Sequence, residues 1–421
     1  MTSRLRLWLR SLGPGLITGA ADDDPSGIAT YSQAGAQYGF GTLWTLPFTY
    51  PLMVSIQMVS ARIGRVTGRG LAANLRLSYP RWLALPLVLL LLVANTINIA
   101  ADIAAMADAV QLVAGGPSNV YAVAFGMLCL LLQIFIPYER YVRVLKWLTL
   151  SLFAYVGTLF FVHVPWTTVL FNTLWPKIEH TNVYLGLVVS IFGTTISPYM
   201  FFWQASQEVE EMGRRPRMSA LMRRPEEAMH HLARIRLDTI LGMGFSQVVA
   251  FFIMLTTAVT LHVHGITDIK TSAQAAAALR PIAGDYAFAL FAAGIIGTGL
   301  LAVPILAGSA AYAVAEFFRW RSGLSLKPEV AKGFYSIIVI STLLGVLLDF
   351  SSIDPMKALL WSAMINGVVA VPLMAVMMHM SGRRKTMGRF VSSPRLRWMG
   401  WLATGVMAMA TVAFGITNWY R

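Results

Sequence analysis

The sequence predicts an all-α integral membrane protein of about eleven transmembrane helices: two oppositely oriented five-helix halves plus one added helix. Three observations carry that expectation. The chain of 421 residues is 57% hydrophobic and 12% charged, against a soluble norm of roughly 25% charged, which leaves too little polar surface to wrap a soluble globule. Apolar runs of about 20 residues, the length a helix needs to cross roughly 30 Å of hydrocarbon, recur along the whole chain. Two of those runs are interrupted by Pro and polar residues at corresponding places, five helices apart. The short alternating segments of a transmembrane barrel are absent.

The expected helices cover 13–38, 42–62, 82–114, 118–137 and 146–165 in the first half. In the second they cover 184–211, 237–262, 285–317, 333–349 and 355–380, with 399–419 added. The chain then reads as one transmembrane domain, 1–421, with repeats at 13–165 and 184–380. Arg4, Arg6 and Arg10 ahead of the first run give it the look of a signal peptide, but three successive carboxylates interrupt the run and argue against cleavage.

The charge pattern supports the count. With the N-terminus cytoplasmic and the C-terminus external, the tail and alternate connections hold all but five of the 33 Lys and Arg residues; Lys177, Lys270, Arg280, Lys357 and Arg421 are the exceptions. The positive-inside rule explains this distribution, and with it the net charge of +14. No aromatic-and-basic platform accompanies that charge, so nucleic acid is excluded as a partner, and the bilayer is the expected one. The single cysteine, Cys129, lies in an apolar run and offers no disulfide or Cys metal cluster. No HExxH pair or nucleophile elbow is present, so no enzyme is expected, and one acidic motif in one chain does not make the ring of filters a channel needs. Nothing in the pattern fixes an oligomeric state.

The longest polar stretch runs over 213–236, about two dozen residues, so function must live within the helices. The first helix breaks at Asp24-Pro25-Ser26-Gly27 and the sixth at GTTISPY, Gly193 to Tyr199. Pro removes an amide donor and Gly adds freedom, so both sites free backbone groups that lipid cannot satisfy. Paired breaks in oppositely oriented halves point to a transporter with a mid-membrane site. An aspartate at the bilayer centre costs roughly 2.5–3.5 kcal/mol, so Asp22, Asp23 and Asp24 would cost on the order of 8–10 kcal/mol if all lay there. Asp24 is also placed to cap the helix that Pro25 begins; capping uses one carboxylate and leaves two that need water or a cation.

The donors around the breaks are oxygens. Asp24 offers a hard anion, the freed carbonyls add dipoles, and Thr194, Thr195, Ser197 and Tyr199 supply hydroxyls; no Arg or Lys lies near either break. That set suits a metal cation rather than an anionic substrate, and with no thioether, thiol or imidazole in either motif it favours magnesium over iron, copper or zinc.

The stretch GPGLITGAADDDPSGIATYSQAGAQYGFGTLW, followed by SARIGRVTGRGLA, resembles the first two helices of the NRAMP family of divalent-metal transporters, and GTTISPY resembles that family's sixth-helix motif. The resemblance spans essentially the whole chain and implies a LeuT-like five-plus-five fold. Typical members read Asp-Pro-Gly-Asn and Ala-x-x-Met-Pro-His. Carried over, Asp24 matches the ligand aspartate, Gly27 stands where the ligand asparagine would be, and Thr194 matches the alanine whose carbonyl binds metal. Ser197 replaces the ligand methionine and Tyr199 the histidine tied to proton movement. The substituted pattern is similar to the family's prokaryotic magnesium-transporting branch. It implies uptake of Mg2+ across the inner membrane, with a proton-coupled Mn2+ transporter as the alternative and no cofactor. Asp102 aligns with a proton-route aspartate, but Ala105 falls where a glutamate is expected, so coupling to protons is not expected. A double charge falling through 100 mV gains roughly 4.6 kcal/mol, enough to drive uptake by potential alone.

Other polar residues have two readings each. Asn366 aligns with a tenth-helix glutamine near the metal and equally suits a hydrogen bond between helices; Asn95 and Asn98, on one face of the third helix, either line the cavity or join helices. Asp102 and Asp108 are functional candidates as acids in an apolar run. Gln204 and Glu208 mark a candidate exit path, and Glu210 and Glu211 are placed to pair with Arg214 or Arg215. His262 and His264 beside Asp268 read as a metal cluster or, in preference, as an ordinary solvated loop.

Overall fold

The computed structural model describes residues 19, 22–136, 148–179, 181–214, 219–350 and 353–419. All of them that form regular structure are helical. The principal helices are α1 Pro25–Tyr38, α2 Thr45–Thr67, α3 Leu71–Ser78, α4 Arg81–Ala114, α5 Ser118–Phe135, α6 Asn182–Thr195, α7 Pro198–Arg214, α8 Ala228–Thr260, α9 Ala287–Phe318, α10 Lys332–Asp349, α11 Pro355–Ser381 and α12 Pro394–Trp419.

Eight spans are long and apolar enough to cross a membrane by length and composition, α6 and α7 counting together as one. They match the third, fourth and sixth to eleventh expected helices. The expected first and second are α1, of 14 residues, and α2, of 23, whose Thr, Ser, Gln and Arg content dilutes its hydropathy. Helix α8 begins at Ala228 rather than at the expected 237, because the charged residues before the apolar run continue the same helical turn. The largest departure is the expected fifth helix, 146–165: its described part is helical as a 3-10 turn at Leu148–Leu152 and a short helix at Phe153–Thr158, and it is not helical over 159–165. The first half of the first helix, the Arg4–Arg10 tail and the basic residues Arg140, Arg143 and Lys146 lie outside the described residues.

Helices α6 and α11 are locked together by backbone contact. A Cβ on Gly193 would lie 2.0 Å from the Ala363 carbonyl oxygen, and one on Gly367 would lie 3.3 Å from the Gly193 Cα. Only glycine allows this approach, and it sets Asn366, next to Gly367, beside the end of α6. Cys129 is buried in the core, as expected of a small apolar residue.

Candidate metal-binding site

Both interruptions occur where the sequence places them, and each has a chemical cause. Asp24 is in extended geometry and caps α1, with Pro25 opening the helix. Its Oδ1 accepts hydrogen bonds of 2.7 Å from the Gly27 amide and 2.7 Å from the Ser26 hydroxyl. At the other break Pro198 has no N–H to give the Thr194 carbonyl. The Ser197 hydroxyl takes that place, lying 2.8 Å from the carbonyl oxygens of both Gly193 and Thr194. A residue that the family pattern fills with methionine therefore stabilises the broken helix end here.

The two breaks meet. Asp24 Oδ2 accepts from the Asn98 side-chain amide of α4 at 3.2 Å and from the Tyr199 hydroxyl of α7 at 3.5 Å. Tyr31 and Thr195 hydroxyls lie 3.5 Å apart, and a Cβ on Gly27 would come 3.0 Å from the Thr194 Oγ1. Capping and site-facing roles thus coexist in one carboxylate: one oxygen closes the helix, the other faces α4 and α7. The negative ends of the α6 peptide dipoles terminate on the same region.

Several buried polar atoms around this point have no partner. They include Thr194 Oγ1, Asn98 Oδ1, both carboxylate oxygens of Asp102 and both amide atoms of Asn366. Each orphan of this kind costs about 1–3 kcal/mol if left dry, and a hydrated cation bringing water ligands would satisfy such groups. Asn366 makes no interhelical hydrogen bond, which leaves its amide free for a ligand. Asn95 takes the joining role, donating to the Leu306 carbonyl of α9 at 2.9 Å.

Asp22 and Asp23 share a partner on another helix. Ser246 of α8 lies 2.5 Å from Asp22 Oδ2 and 3.1 Å from Asp23 Oδ1. Ser246 is a residue that the sequence did not single out, since one serine in an apolar helix carries no signal. Gln57 of α2, which donates to the Met200 carbonyl at 3.1 Å, was equally invisible.

Glu208 does not stand open as an exit path in this conformation. Arg234 of α8 bridges it, at 2.9 Å, to Glu211, at 2.6 Å, and the Glu208 side chain is fully buried. Gln204, one turn nearer the breaks, is also buried. Arg234 falls within the polar stretch 213–236, but the earlier start of α8 makes it helical and aims it at α7. Glu210 bonds the Tyr312 hydroxyl and the Leu324 amide; the side chains of Arg214 and Arg215 lie outside the described residues. At the opposite end, the Gln33 side chain binds the Thr267 carbonyl at 3.4 Å and the Ile269 amide at 2.9 Å. His262 and His264 are tied to the carbonyls of Ala36 and Thr260, and among the described residues no cluster of His, Cys, Asp and Glu is set to hold a metal there. With Asp24, Thr194, Ser197 and Asn366 at most 1% exposed, the meeting point is closed from both ends.

A buried polar meeting point of two broken helices within an all-helical bundle fits an integral membrane transporter of LeuT-like fold. The profile of the family described as Natural resistance-associated macrophage protein-like, Nramp, matches residues 15–417, and the chain belongs to that family. Its members are metal-ion transporters, not enzymes.

The chain is 24% identical to the divalent metal cation transporter MntH of Granulibacter bethesdensis, over 96% of this chain and 89% of the relative. It is 27% identical to the MntH of Verminephrobacter eiseniae, over 83% and 80%. The crystal structure of the Eremococcus coleocola manganese transporter superposes with a TM-score of 0.76 at 16% identity, covering 99% of this chain and 88% of that one. That likeness agrees with the LeuT-like fold.

Proposed function

We propose that this chain carries a divalent metal cation across a prokaryotic cytoplasmic membrane by alternating access, with the ion held between Asp24 and the end of α6. The observation that carries the reading is the convergence of Asp24 Oδ2 with Tyr199 and Asn98, while Gly27 closes on Thr194. In this scheme the cation takes Asp24 Oδ2 from its hydrogen-bond donors. The Thr194 carbonyl, the Ser197 hydroxyl and the Asn366 amide oxygen complete a partly hydrated shell once the breaks move apart. Outward opening releases Gln33 from the 267–269 segment; inward opening releases Glu208 from Arg234, past Gln204. Asp22, Asp23, Asn95, Asp102 and Thr195 line or brace the route.

Two cargo assignments have support of different kinds. The relatives named divalent metal cation transporters and the structural neighbour named a manganese transporter favour manganese as cargo, and at the level of the family that is the better-supported assignment. What favours magnesium is this chain's own donor set, all oxygen, with Ser197 and Tyr199 in place of the soft and proton-carrying residues. Under that reading the membrane potential alone drives uptake.

Proteoliposomes with an inside-negative potential and an internal pH dye separate them. On the magnesium reading, Mg2+ in modest excess suppresses Mn2+ uptake and the lumen does not acidify. On the manganese reading, uptake persists in large Mg2+ excess and acidification accompanies it. Movement of neither ion contradicts the transport assignment itself.

A further inference from the structure

On the side that carries the Arg-rich connections, a cleft of about 610 Å3 lies between the end of α2, helix α3, the turn at 220–223 and the short helix Arg384–Met387 after α11. Arg69, Arg223, Arg383 and Lys385 enter it from three separate segments, and among the described residues no acidic side chain lines it. All four side chains are exposed, and none of them forms an ion pair among the described residues. The positive-inside rule accounts for basic residues on this face. It does not account for their convergence in a concave site with no acid between them, where like charges repel.

The cleft is held open by structure of its own. Asn74 donates from its side chain to Thr67 Oγ1 at 3.0 Å and to the carbonyls of Arg69 and Gly70 at 2.9 Å each. The 220–223 turn is pinned by amide bonds from Leu221 to the Arg65 carbonyl and from Met222 to the Val66 carbonyl. Gly68, at φ 67°, makes the left-handed bend that lets Ala220 close on it. The hydroxyls of Ser78 and Thr386 lie 3.4 Å apart at the other end, and Leu77 and Met222, each 50% exposed, add apolar surface beside the cations.

We propose that this cleft binds a phosphate-bearing anion, supplied as the headgroup of an anionic phospholipid in the adjoining leaflet. Guanidinium and ammonium groups recognise phosphate oxygens by charge-assisted hydrogen bonds. The apolar rim favours a lipid over a soluble phosphate because acyl carbons gain a surface there, and basic pockets between membrane helices suit such headgroups. The inference stands whatever the cargo is.

The test follows thermal unfolding of the full-length purified protein in detergent, titrated with phosphatidylglycerol, with phosphatidylcholine as control and sodium pyrophosphate as the soluble probe. Phosphatidylglycerol is expected to raise the wild-type midpoint, and its half-effective concentration should rise at least tenfold in the Arg223→Gln/Arg383→Gln/Lys385→Gln variant. Leu77→Glu, which adds an acid to the same cleft, should give the same loss from an independent position. Dication binding at the mid-membrane site, measured alongside, should be unchanged. Stabilisation by pyrophosphate alone, lost in both variants, supports the phosphate site and overturns the lipid source. Equal response to phosphatidylcholine, or variants that respond to phosphatidylglycerol as the wild type does, overturns the proposal.

Discussion

Asp24→Ala is expected to abolish dication uptake and to weaken dication binding at least a hundredfold, while the protein still inserts and purifies as a folded species. The separation follows from the two oxygens. Oδ1 caps α1 through Gly27 and Ser26, a contribution of about 1 kcal/mol, which a domain this size survives. Oδ2 is the anionic atom that faces Asn98 and Tyr199, and nothing else bonded to both breaks carries a negative charge. Asp24→Asn isolates the second role, because asparagine caps as well as aspartate does but brings no charge. Its thermal midpoint should therefore sit nearer wild type than that of Asp24→Ala, with uptake equally lost. Isothermal titration with Mn2+ and Mg2+, together with tracer flux, reads both quantities; wild-type flux in either variant removes Asp24 from the site.

The second large effect concerns selectivity. Gly27→Asn combined with Ser197→Met is expected to shift the Mn2+:Mg2+ preference toward manganese by about tenfold or more, since it restores an amide ligand and a soft thioether. A Cβ at position 27 would already stand 3.0 Å from Thr194 Oγ1, so the new amide arrives beside the end of α6. Losing the Ser197 hydroxyl also frees the Gly193 and Thr194 carbonyls, so the variant should melt earlier, by about 1–3 kcal/mol for each buried acceptor left unpaired. Competition flux measures the preference. An unchanged ratio in a folded variant shows that ligand softness does not discriminate in this chain.

Much of this was legible in the residues because membrane physics constrains them tightly. Run length and basic connections fixed the third, fourth and sixth to eleventh spans to within a few residues, α8 apart, and Pro25 and Pro198 marked both breaks. The expected fifth helix is helical over 148–158 but stops at Thr158 instead of continuing to 165, because an apolar run satisfies a hydropathy pattern whether or not its helical hydrogen bonds stay continuous. Asp24, together with Tyr199 and Asn98, which hydrogen-bond to it, stands out in the sequence because polarity in an apolar run is costly. Ser246 and Gln57 were not, since only the three-dimensional approach of α8 to Asp22 and of α2 to Met200 gives them partners. Arg234 was visible but misplaced, because a charge-dense segment reads as a connection although it forms the first turns of a helix.

The claim on which the rest depends is that atoms from both breaks hold one dication. Anomalous diffraction from crystals grown with Mn2+ tests it directly, since manganese marks an oxygen site whether the physiological ion is manganese or magnesium. The expected result is a peak roughly 2–2.5 Å from Asp24 Oδ2 and from at least one oxygen of Thr194 or Ser197, absent in Asp24→Ala. A sole peak at Asp22, Asp23 and Ser246, or one that persists between the breaks without Asp24, would contradict the account.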